Sequence, residues 1–247
     1  MLILLPPSET KAAPTRGAAL DTDRLSMPQL NPMRATVLDA LIAASDTPDA
    51  LGVLGVGASL APEVARNVQL RTAPARQVEK LYTGVLYDAL DVSSLRGAAA
   101  ARARRRLAVG SALFGLLRAD DPVPAYRLSA SAKLPGQPGL AKRWRPLLEP
   151  VLAEIANDEL IVDLRSGSYA GLGRIPSAVR VQVLAEHADG HRTVVSHFNK
   201  AHKGHLARAL VNSRSEPDSA SGVAAVARRA GMNVERDGDE LTVVVPA

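Results

Sequence analysis

The 247-residue chain contains no cysteine. It therefore has no disulfide bonds, no thiolate nucleophile and no metal site with cysteine ligands. Aromatic residues are also scarce, at 3% of the sequence, so the core must be built from Ala, Leu and Val. Hydrophobic residues make up 47% of the chain, which is enough to supply a sizeable core.

Long apolar runs are absent as well. No stretch approaches the roughly 20 apolar residues that a membrane-spanning helix needs. The apolar start, Met1 to Leu5, has no charged region before it and stops at Pro6-Pro7, which predicts that it is not a signal peptide. We expect a cytoplasmic protein that does not act in a membrane.

The chain carries 30 basic and 25 acidic residues, for a net charge of +5. This balance favours an anionic partner such as nucleic acid or phosphate, although many arginine-rich proteins bind no polyanion. The basic residues form three groups, at 102–106, 142–145 and 200–208. Folding decides whether these groups meet in one cleft or stay scattered as solvated helix faces.

The order of predicted elements indicates one mixed α/β domain over residues 1–247, with a central sheet and surrounding helices. Helices dominate the predicted first half and strands the second. The hydrophobic patterns predict strands over 1–5, 106–109, 159–164, 178–186, 192–198, 232–236 and 240–245. They predict helices over 33–44, 58–67, 82–90, 94–106, 139–157 (kinked or restarted near its two prolines), 200–212 and 218–230, with another starting near 46–49.

Residues 51–65, LGVLGVGASLAPEVA, place two short helices around a Gly55-Val56-Gly57 corner. Glycines allow a tight turn and expose backbone N–H groups that can hold a phosphate. The pattern is similar to a helix-hairpin-helix over about 47–67, a module that grips the duplex backbone without reading its sequence. An ordinary pair of helices packed through a glycine corner is the alternative.

Residues 111–136 combine charge with backbone-restricting glycines and prolines, which makes them poor core material. The segment is typical of a shaped, charged surface, or else of an exposed loop. Its polar residues are Arg118, Asp120, Asp121, Tyr126, Arg127 and Lys133.

A polar group, Ser8 to Lys11, directly follows the first strand. In α/β folds this end of a strand is where ligands bind. Lys11 beside Tyr82 or Tyr169 would form an acid–base pair, although simple loop capping is the alternative. Three histidines, His197, His202 and His205, have no carboxylate close in sequence, and we expect no metal.

Six motifs follow one another along the chain: LPPSETK at 5–11, YTG at 82–84, SALFGLLR at 111–118, YRL at 126–128, DLRSGSY at 163–169 and KAHKG at 200–204. Trp144 and Arg208 accompany them. In this order and spacing the chain resembles the peroxide stress protein YaaA family over nearly its whole length. The third and fourth motifs carry most of the likeness. The chain departs from the family pattern at Glu9, His202 and Lys203.

This resemblance implies a cytosolic protein tied to survival of hydrogen peroxide, with a compact mixed α/β fold. It also implies a helix-hairpin-helix and a positively charged cleft that binds DNA, duplex DNA included. Family members are described as limiting iron-driven oxidative damage to DNA. No cofactor is expected.

The leading hypothesis is a DNA-binding protein of the oxidative stress response. Its contacts would go to phosphates, so that binding would be largely independent of sequence and would weaken steeply with salt. The residues expected to hold DNA or another polyanion are Gly55, Gly57, Arg118, Arg127, Lys200, Lys203 and Arg208.

The alternative is an enzyme, of lyase or transferase type, acting on a small nucleobase-like or phosphorylated substrate in the same cleft. A protein that only binds the DNA backbone needs no buried tyrosines or carboxylates, whereas an acid–base site does. Thr83, Tyr126, Arg118 and Arg127 would line the site. The catalytic candidates are Ser8, Lys11, Tyr82, Asp121 (as a general base or an arginine partner) and Tyr169.

Overall fold

A central sheet with helices around it organises the part of the chain that the computed structural model describes, residues 1–194 and 199–247. The strands of these residues are β1 (Leu2–Leu5), β2 (Ala75–Gln77), β3 (Leu107–Ser111), β4 (Gly115–Arg118), β5 (Pro122–Pro124), β6 (Ile161–Asp163), β7 (Val179–Glu186), β8 (Arg192–Val194), β9 (Val234–Asp237) and β10 (Glu240–Pro246). The helices are α1 (Asn31–Ser45), α2 (Ala50–Leu54), α3 (Ala61–Asn67), α4 (Val78–Leu81), α5 (Val85–Leu90), α6 (Gly97–Arg106), α7 (Leu140–Asp158), α8 (Gly167–Ala170), α9 (Asn199–Asn212) and α10 (Ala220–Arg229).

The main sheet has the order β4-β3-β1-β6-β7-β10-β9, and β8 pairs with β7 at one end. Strands β3, β1, β6, β7 and β10 run parallel, while β4, β8 and β9 are antiparallel additions. Strands β2 and β5 form a separate antiparallel pair. The predicted mixed α/β fold with a central sheet is confirmed.

Strand β1 lies between two parallel neighbours, and its residues form an unbroken apolar run. All four of its residues are buried, with β3 on one side and β6 on the other. A strand covered on both faces needs such an unbroken apolar run. The chain leaves β1 towards β3 and later returns to its other side at β6, so the carboxyl end of β1 is the switch point where α/β sheets bind ligands.

The structure corrects the interpretation of residues 111–136 as a charged surface segment. Its first part is core: Leu113 and Phe114 are fully buried, and Gly115 opens β4, which pairs with β3. Gly115 has φ +74°, and a side chain there would meet the ring of Trp144. Only a glycine allows this turn and this approach. The charged residues that follow obscured this apolar start in the sequence.

Strands β2, β4 and β5 were not predicted. Each has only three or four residues, which is too short for an alternating pattern to show. Helices dominate the first half as expected, but the second half is not mainly stranded, because it contains α7 to α10. The predicted helix over 82–90 begins at Val85, because Gly84 adopts φ +94° just before it. Of the predicted strand 192–198, the last four residues lie outside the described residues.

The long helix α7 does not restart at its prolines, as the sequence had suggested. It runs unbroken from Leu140 to Asp158 with Pro146 and Pro150 inside it. Both prolines are exposed, whereas Trp144 and Leu148 are buried on the inner face. The free energy gained by packing that face exceeds the cost of the two backbone hydrogen bonds that the prolines remove. No helix among the described residues is long and apolar enough to cross a membrane.

We predict that Gly204→Ala destabilises the fold. Gly204 lies where α9 crosses α5, and an added Cβ would stand 2.3 Å from the Leu86 carbonyl oxygen and 2.8 Å from Ala89 Cβ. The backbone must shift, which costs about 1–3 kcal/mol and outweighs the gain in helix propensity. Urea unfolding measures the change. Gly167→Ala, where an added Cβ meets nothing within 4 Å, is the control. Equal stability of the two variants would contradict the prediction.

Candidate functional site

Three parallel strands end together at the edge of the sheet where the sequence predicts a ligand. Strand β1 continues into Pro6–Lys11, β3 ends at Ser111, and β6 is followed by the buried Arg165. The Arg165 guanidinium binds the Asp163 carboxylate at 2.8 and 2.9 Å and covers the end of β3 at Gly110. The Arg165–Asp163 ion pair therefore closes the site on the side of Gly110.

Lys11 is held in place by a short pairing between two segments that are distant in sequence. Lys11 and Tyr82 form an isolated antiparallel bridge. The Ala12 N–H donates to the Leu81 carbonyl at 2.8 Å, and the Thr83 N–H donates to the Thr10 carbonyl at 3.3 Å. This pairing brings the strand-end motif onto the YTG motif, as the predicted acid–base pair requires.

The Lys11 ammonium lies between backbone carbonyls and two aromatic rings. Its Nζ donates to the Ser8 carbonyl at 2.8 Å and to the Glu9 carbonyl at 3.4 Å. It stands 4.3 Å from the ring centroid of Tyr126 and 5.3 Å from that of Tyr82. Burial lowers the pKa of Lys11 from 10.5 to about 8, and this effect outweighs the opposing field of Glu9. The amine is therefore partly deprotonated near neutral pH.

A chain of three hydroxyl groups runs alongside this amine. The Ser111 and Tyr126 hydroxyl oxygens lie 2.7 Å apart, and those of Tyr126 and Tyr82 lie 2.8 Å apart. The Ser111 oxygen also accepts from the backbone N–H groups of Leu113 and Phe114, so its own hydrogen goes to Tyr126. The second bond uses one phenolic hydrogen of the pair. The Tyr82 hydroxyl also hydrogen-bonds to Ser111, so the three hydroxyl groups share their hydrogens within the chain.

All four tyrosines of the chain belong to this neighbourhood. The Tyr87 ring stacks on Tyr82 with centroids 5.4 Å apart, and its hydroxyl donates to the Pro6 carbonyl at 2.8 Å. Burial raises the pKa of each of Tyr82, Tyr87, Tyr126 and Tyr169 well above its ordinary value. These phenols are therefore hydrogen-bond donors at physiological pH. We call Lys11, Tyr82, Tyr87, Ser111 and Tyr126 the tyrosine–lysine cluster.

Arg127 connects this cluster to helix α3. Its guanidinium lies 3.4 Å from the Glu9 carboxylate and 3.2 Å from that of Glu63. The fully buried Asn67 side chain accepts from the Arg127 N–H at 2.8 Å and donates to its carbonyl at 2.9 Å. Arg127 was predicted to hold phosphate, but its guanidinium already forms ion pairs with two carboxylates.

Lys203 and Arg208 of α9, both predicted to contact DNA, are bound to backbone carbonyls. Lys203 is buried and donates to the Leu164 carbonyl at 3.0 Å. Arg208 donates to the carbonyls of Leu90 and Asp91 at 2.8 Å each. These contacts fasten α9 to β6 and α5, which gives both residues a structural task.

The remaining predicted phosphate contacts are more accessible. Arg118 is half-buried and donates to the Arg105 carbonyl, and Lys200 is exposed at the start of α9. Gly55 and Gly57 are exposed at the corner between α2 and α3, and a Cβ on either would meet nothing within 4 Å. The two short helices around this corner are confirmed. That they act as a helix-hairpin-helix on DNA stays a prediction.

Asp121 does not lie at the candidate site as a general base. It is buried, accepts from the Ser26 N–H and hydroxyl at 2.8 and 2.9 Å, and accepts from the Arg118 N–H at 2.8 Å. A carboxylate with three such donors joins two loops. Ser8 does lie at the site, where its hydroxyl is 3.1 Å from that of Thr10. Tyr169 is buried in α8.

Sequence reasoning missed three residues of this site: Ser111 as a hydroxyl-bearing member of the chain, Tyr87, and Asn67. Ser111 follows a predicted strand, which is the same signal that identified Ser8. Tyr87 stands five residues after Tyr82 and offered no pattern. Asn67 acts through its amide on a residue 60 positions away, and a single sequence does not show such a pairing.

A cavity of about 480 Å³ borders the cluster on the side of α5. Tyr82, Thr83 and Tyr87 form one wall, and charged residues of both signs form the rest, among them Asp88, Arg96 and Arg104. A second cavity, of about 890 Å³, lies between α9, α10 and β10 and is lined by none of the predicted catalytic residues. A ligand in the first cavity would meet the cluster at Tyr82 and Tyr87, since Lys11, Ser111 and Tyr126 do not line that cavity.

The histidines of α9 lie on the second cavity. His202 and His205 line it together. Burial lowers the pKa of His202, and the nearby His205 lowers it further. His197 lies outside the described residues. Among residues 1–194 and 199–247, no group of three or more His, Asp or Glu side chains is placed to hold a metal ion.

The chain is similar to known proteins over nearly its whole length. A family model described as peroxide stress protein YaaA matches residues 1–233. The chain is 49% identical over 252 aligned positions to a UPF0246 protein of Corynebacterium efficiens, covering 99% of this chain and 100% of that protein. It is 45% identical to a UPF0246 protein of Streptomyces coelicolor, covering 96% of this chain and 93% of the relative.

We predict a pH signature of the buried amine. In the unfolded chain Lys11 regains its ordinary pKa of 10.5, so between about pH 8 and 10.5 the unfolded state binds more protons than the folded state. Folding stability therefore carries a penalty below pH 8 that is relieved as the pH rises. Relative to Lys11→Met, which lacks the titrating group, the wild type should gain about 1–3 kcal/mol between pH 7 and 10.

Urea unfolding of both proteins across this pH range measures the gain. The difference between the two proteins cancels the other titrating groups, which they share. A stability difference that stays constant from pH 7 to 10 would show that the folded state does not perturb Lys11.

Proposed function

Because the chain belongs to the peroxide stress protein YaaA family, we propose that it serves the cytoplasmic response to hydrogen peroxide through the tyrosine–lysine cluster, which binds a small, flat, nucleobase-like ligand and performs acid–base chemistry on it. The observation that carries this proposal is the Lys11 amine seated between two tyrosine rings beside a buried hydroxyl chain.

The polar groups of the cluster exceed what the fold requires. Burying a phenol or an amine costs free energy that an apolar residue would not cost, unless every polar hydrogen is satisfied. Here an amine and three hydroxyl groups are buried side by side. Burying these groups lowers the stability of the fold, which is typical of residues kept for chemistry. Strongly shifted pKa values grouped at a strand-end crevice are also typical of active sites.

The choice of a flat heterocycle follows from the walls. Tyr82 and Tyr87 stack on each other and border the adjoining cavity, so they offer aromatic surface to a planar ligand. A phosphorylated ligand is the less favoured substrate, because the nearby arginines are already engaged. Arg127 is paired with Glu9 and Glu63. On the cavity wall, Arg104 is paired with Glu79 and Arg96 donates to the Ser93 and Leu95 carbonyls. Hydroxyl and carbonyl groups suit the edge of a nucleobase better than a phosphate.

Survival of hydrogen peroxide by a strain lacking the gene tests this function. Wild type and Lys142→Met should restore survival, since Lys142 is exposed on α7, remote in sequence from the cluster. Lys11→Met and Tyr126→Phe should lose at least about tenfold in survival, because each removes a reacting group. Circular dichroism confirms that the variants are folded. Full rescue by Lys11→Met would contradict an acid–base role for the cluster.

DNA binding is the second candidate, and it would protect DNA from iron-driven damage. The exposed Gly55-Val56-Gly57 corner favours it, since nothing covers the space above either glycine. Helix α3 also joins this corner to Arg127 through Asn67 and Glu63. Arg127 directly follows Tyr126 of the cluster. With Lys203 and Arg208 engaged in the fold, the contact would rest on the corner and on exposed cations such as Lys200.

Binding of labelled duplex DNA across a salt series tests this candidate with a matched pair. Gly57 has φ −75°, so a side chain fits there without strain. Gly57→Glu should weaken binding at least about tenfold relative to Gly57→Gln, because only the carboxylate repels phosphate, and both should show the linear log–log salt dependence of phosphate contacts. Equal affinity of the two variants would remove the corner from DNA binding.

A further inference from the structure

The first cavity, which Tyr82 and Tyr87 border, also holds a carboxylate that the fold uses only in part. Glu79, the second residue of α4, lines this cavity, and its side chain is only 4% exposed. Its one ion pair among the described residues is with Arg104, whose Nε lies 3.4 Å from Oε1. Within the same part of the chain, Oε2 accepts no hydrogen bond. Since buried carboxylate oxygens are ordinarily satisfied by donors, this one is short of a partner.

We propose that the Glu79 carboxylate selects the ligand of this cavity, and that the ligand is a flat heterocycle with two adjacent N–H donors on one edge, such as a ring N–H beside an amino group. The inference rests on the proposed function, in that it takes the ligand to be small, flat and nucleobase-like. It adds the hydrogen-bonding edge by which that ligand is recognised.

The two oxygens of the carboxylate determine this edge. An ionised carboxylate only accepts hydrogen bonds, and its oxygens lie side by side. Two adjacent N–H groups of a planar ring meet both oxygens at once, in the parallel arrangement by which a guanidinium binds a carboxylate. A ring with a carbonyl beside its N–H would place that oxygen against Glu79 without a hydrogen between them. The site therefore favours the amino group over the carbonyl at this position of the ring.

The charges around the cavity favour a neutral ligand. The described residues that line it include three acidic and three basic side chains: Glu79, Asp88, Asp91, Lys80, Arg96 and Arg104. Asp91 already accepts from the Ser93 hydroxyl at 2.9 Å, and Asp88 is exposed to solvent, where water satisfies it. The lining thus carries no net formal charge, and Glu79 is its buried acceptor. Selection then depends on the pattern of donors and acceptors rather than on ligand charge.

The start of α4 holds the carboxylate in a fixed place beside the aromatic wall. The Val78 N–H donates to the Asp121 carbonyl at 3.0 Å and the Glu79 N–H donates to the Ala119 carbonyl at 2.8 Å, which fastens this helix to the turn between β4 and β5. Tyr82 follows Glu79 by three residues and lines the same cavity. The cavity, of about 480 Å³, is large enough for a small heterocycle. A positioned acceptor next to a tyrosine wall is the arrangement that recognition of such a ring requires.

Isocytosine and uracil are a matched pair of probes for the purified wild-type protein. They share one ring, and isocytosine has an amino group where uracil has a carbonyl beside the ring N–H. Isocytosine should bind at least about tenfold more tightly, because the uracil carbonyl would face the carboxylate. Ligand-observed NMR titration measures both dissociation constants. In Glu79→Gln the side-chain amide can donate to that carbonyl, so the preference for isocytosine should fall at least about tenfold or reverse.

Arg104→Gln separates recognition from the ion pair. It breaks the same ion pair as Glu79→Gln but leaves the carboxylate, so it should keep the preference for isocytosine. Circular dichroism confirms that both variants are folded. A loss of preference in Arg104→Gln as large as in Glu79→Gln would overturn the role of Glu79 as the acceptor.

The wild type distinguishes failure of this inference from failure of the proposed function. Equal binding of the two rings, or a preference that Glu79→Gln leaves unchanged, would overturn selection by Glu79 while the heterocycle site stands. If the wild type binds neither ring, the heterocycle site is wrong and this inference falls with it.

Discussion

Burying the Lys11 amine among carbonyls and tyrosine rings is the constraint around which this edge of the sheet is arranged. An amine out of water must be surrounded by acceptors or lose its proton. The Ser8 and Glu9 carbonyls provide acceptors because the chain turns directly after β1, and Tyr82 and Tyr126 provide ring faces because two later segments fold back onto that turn. The tyrosine–lysine cluster thus depends on long-range pairing more than on local sequence.

Buried cations bound to backbone carbonyls recur through the fold. Arg34 donates to the carbonyls of Phe114 and Leu116, and Arg106 donates to that of Leu210. Both guanidiniums are almost entirely buried. With Lys203 and Arg208, they make four basic residues, of the 30 in the chain, that fasten segments of the fold together through backbone carbonyls. The net charge of +5 therefore overstates the cation density available to a polyanion.

The sequence analysis found the fold class and the first strand, because the unbroken apolar run from Leu2 to Leu5 suits a strand covered on both faces. It also predicted that Lys11 meets Tyr82 or Tyr169, and of these two the structure pairs Lys11 with Tyr82. It wrongly placed residues 113–118 in a surface segment, because their burial depends on packing of the distant Trp144 ring against Gly115. It assigned phosphate to Lys203 and Arg208, since a side chain's hydrogen-bond partner on a distant element leaves no trace in its own segment.

The measurement that most directly tests this account is a titration of the six lysine side chains by NMR, with carbon-13 at the ε position, in the folded protein. The account predicts one resonance, removed by Lys11→Met, that titrates near pH 8, well below the exposed lysines. If the Lys11 resonance titrates with the exposed lysines near pH 10.5, the amine is not buried as described, and the tyrosine–lysine cluster is not an acid–base site.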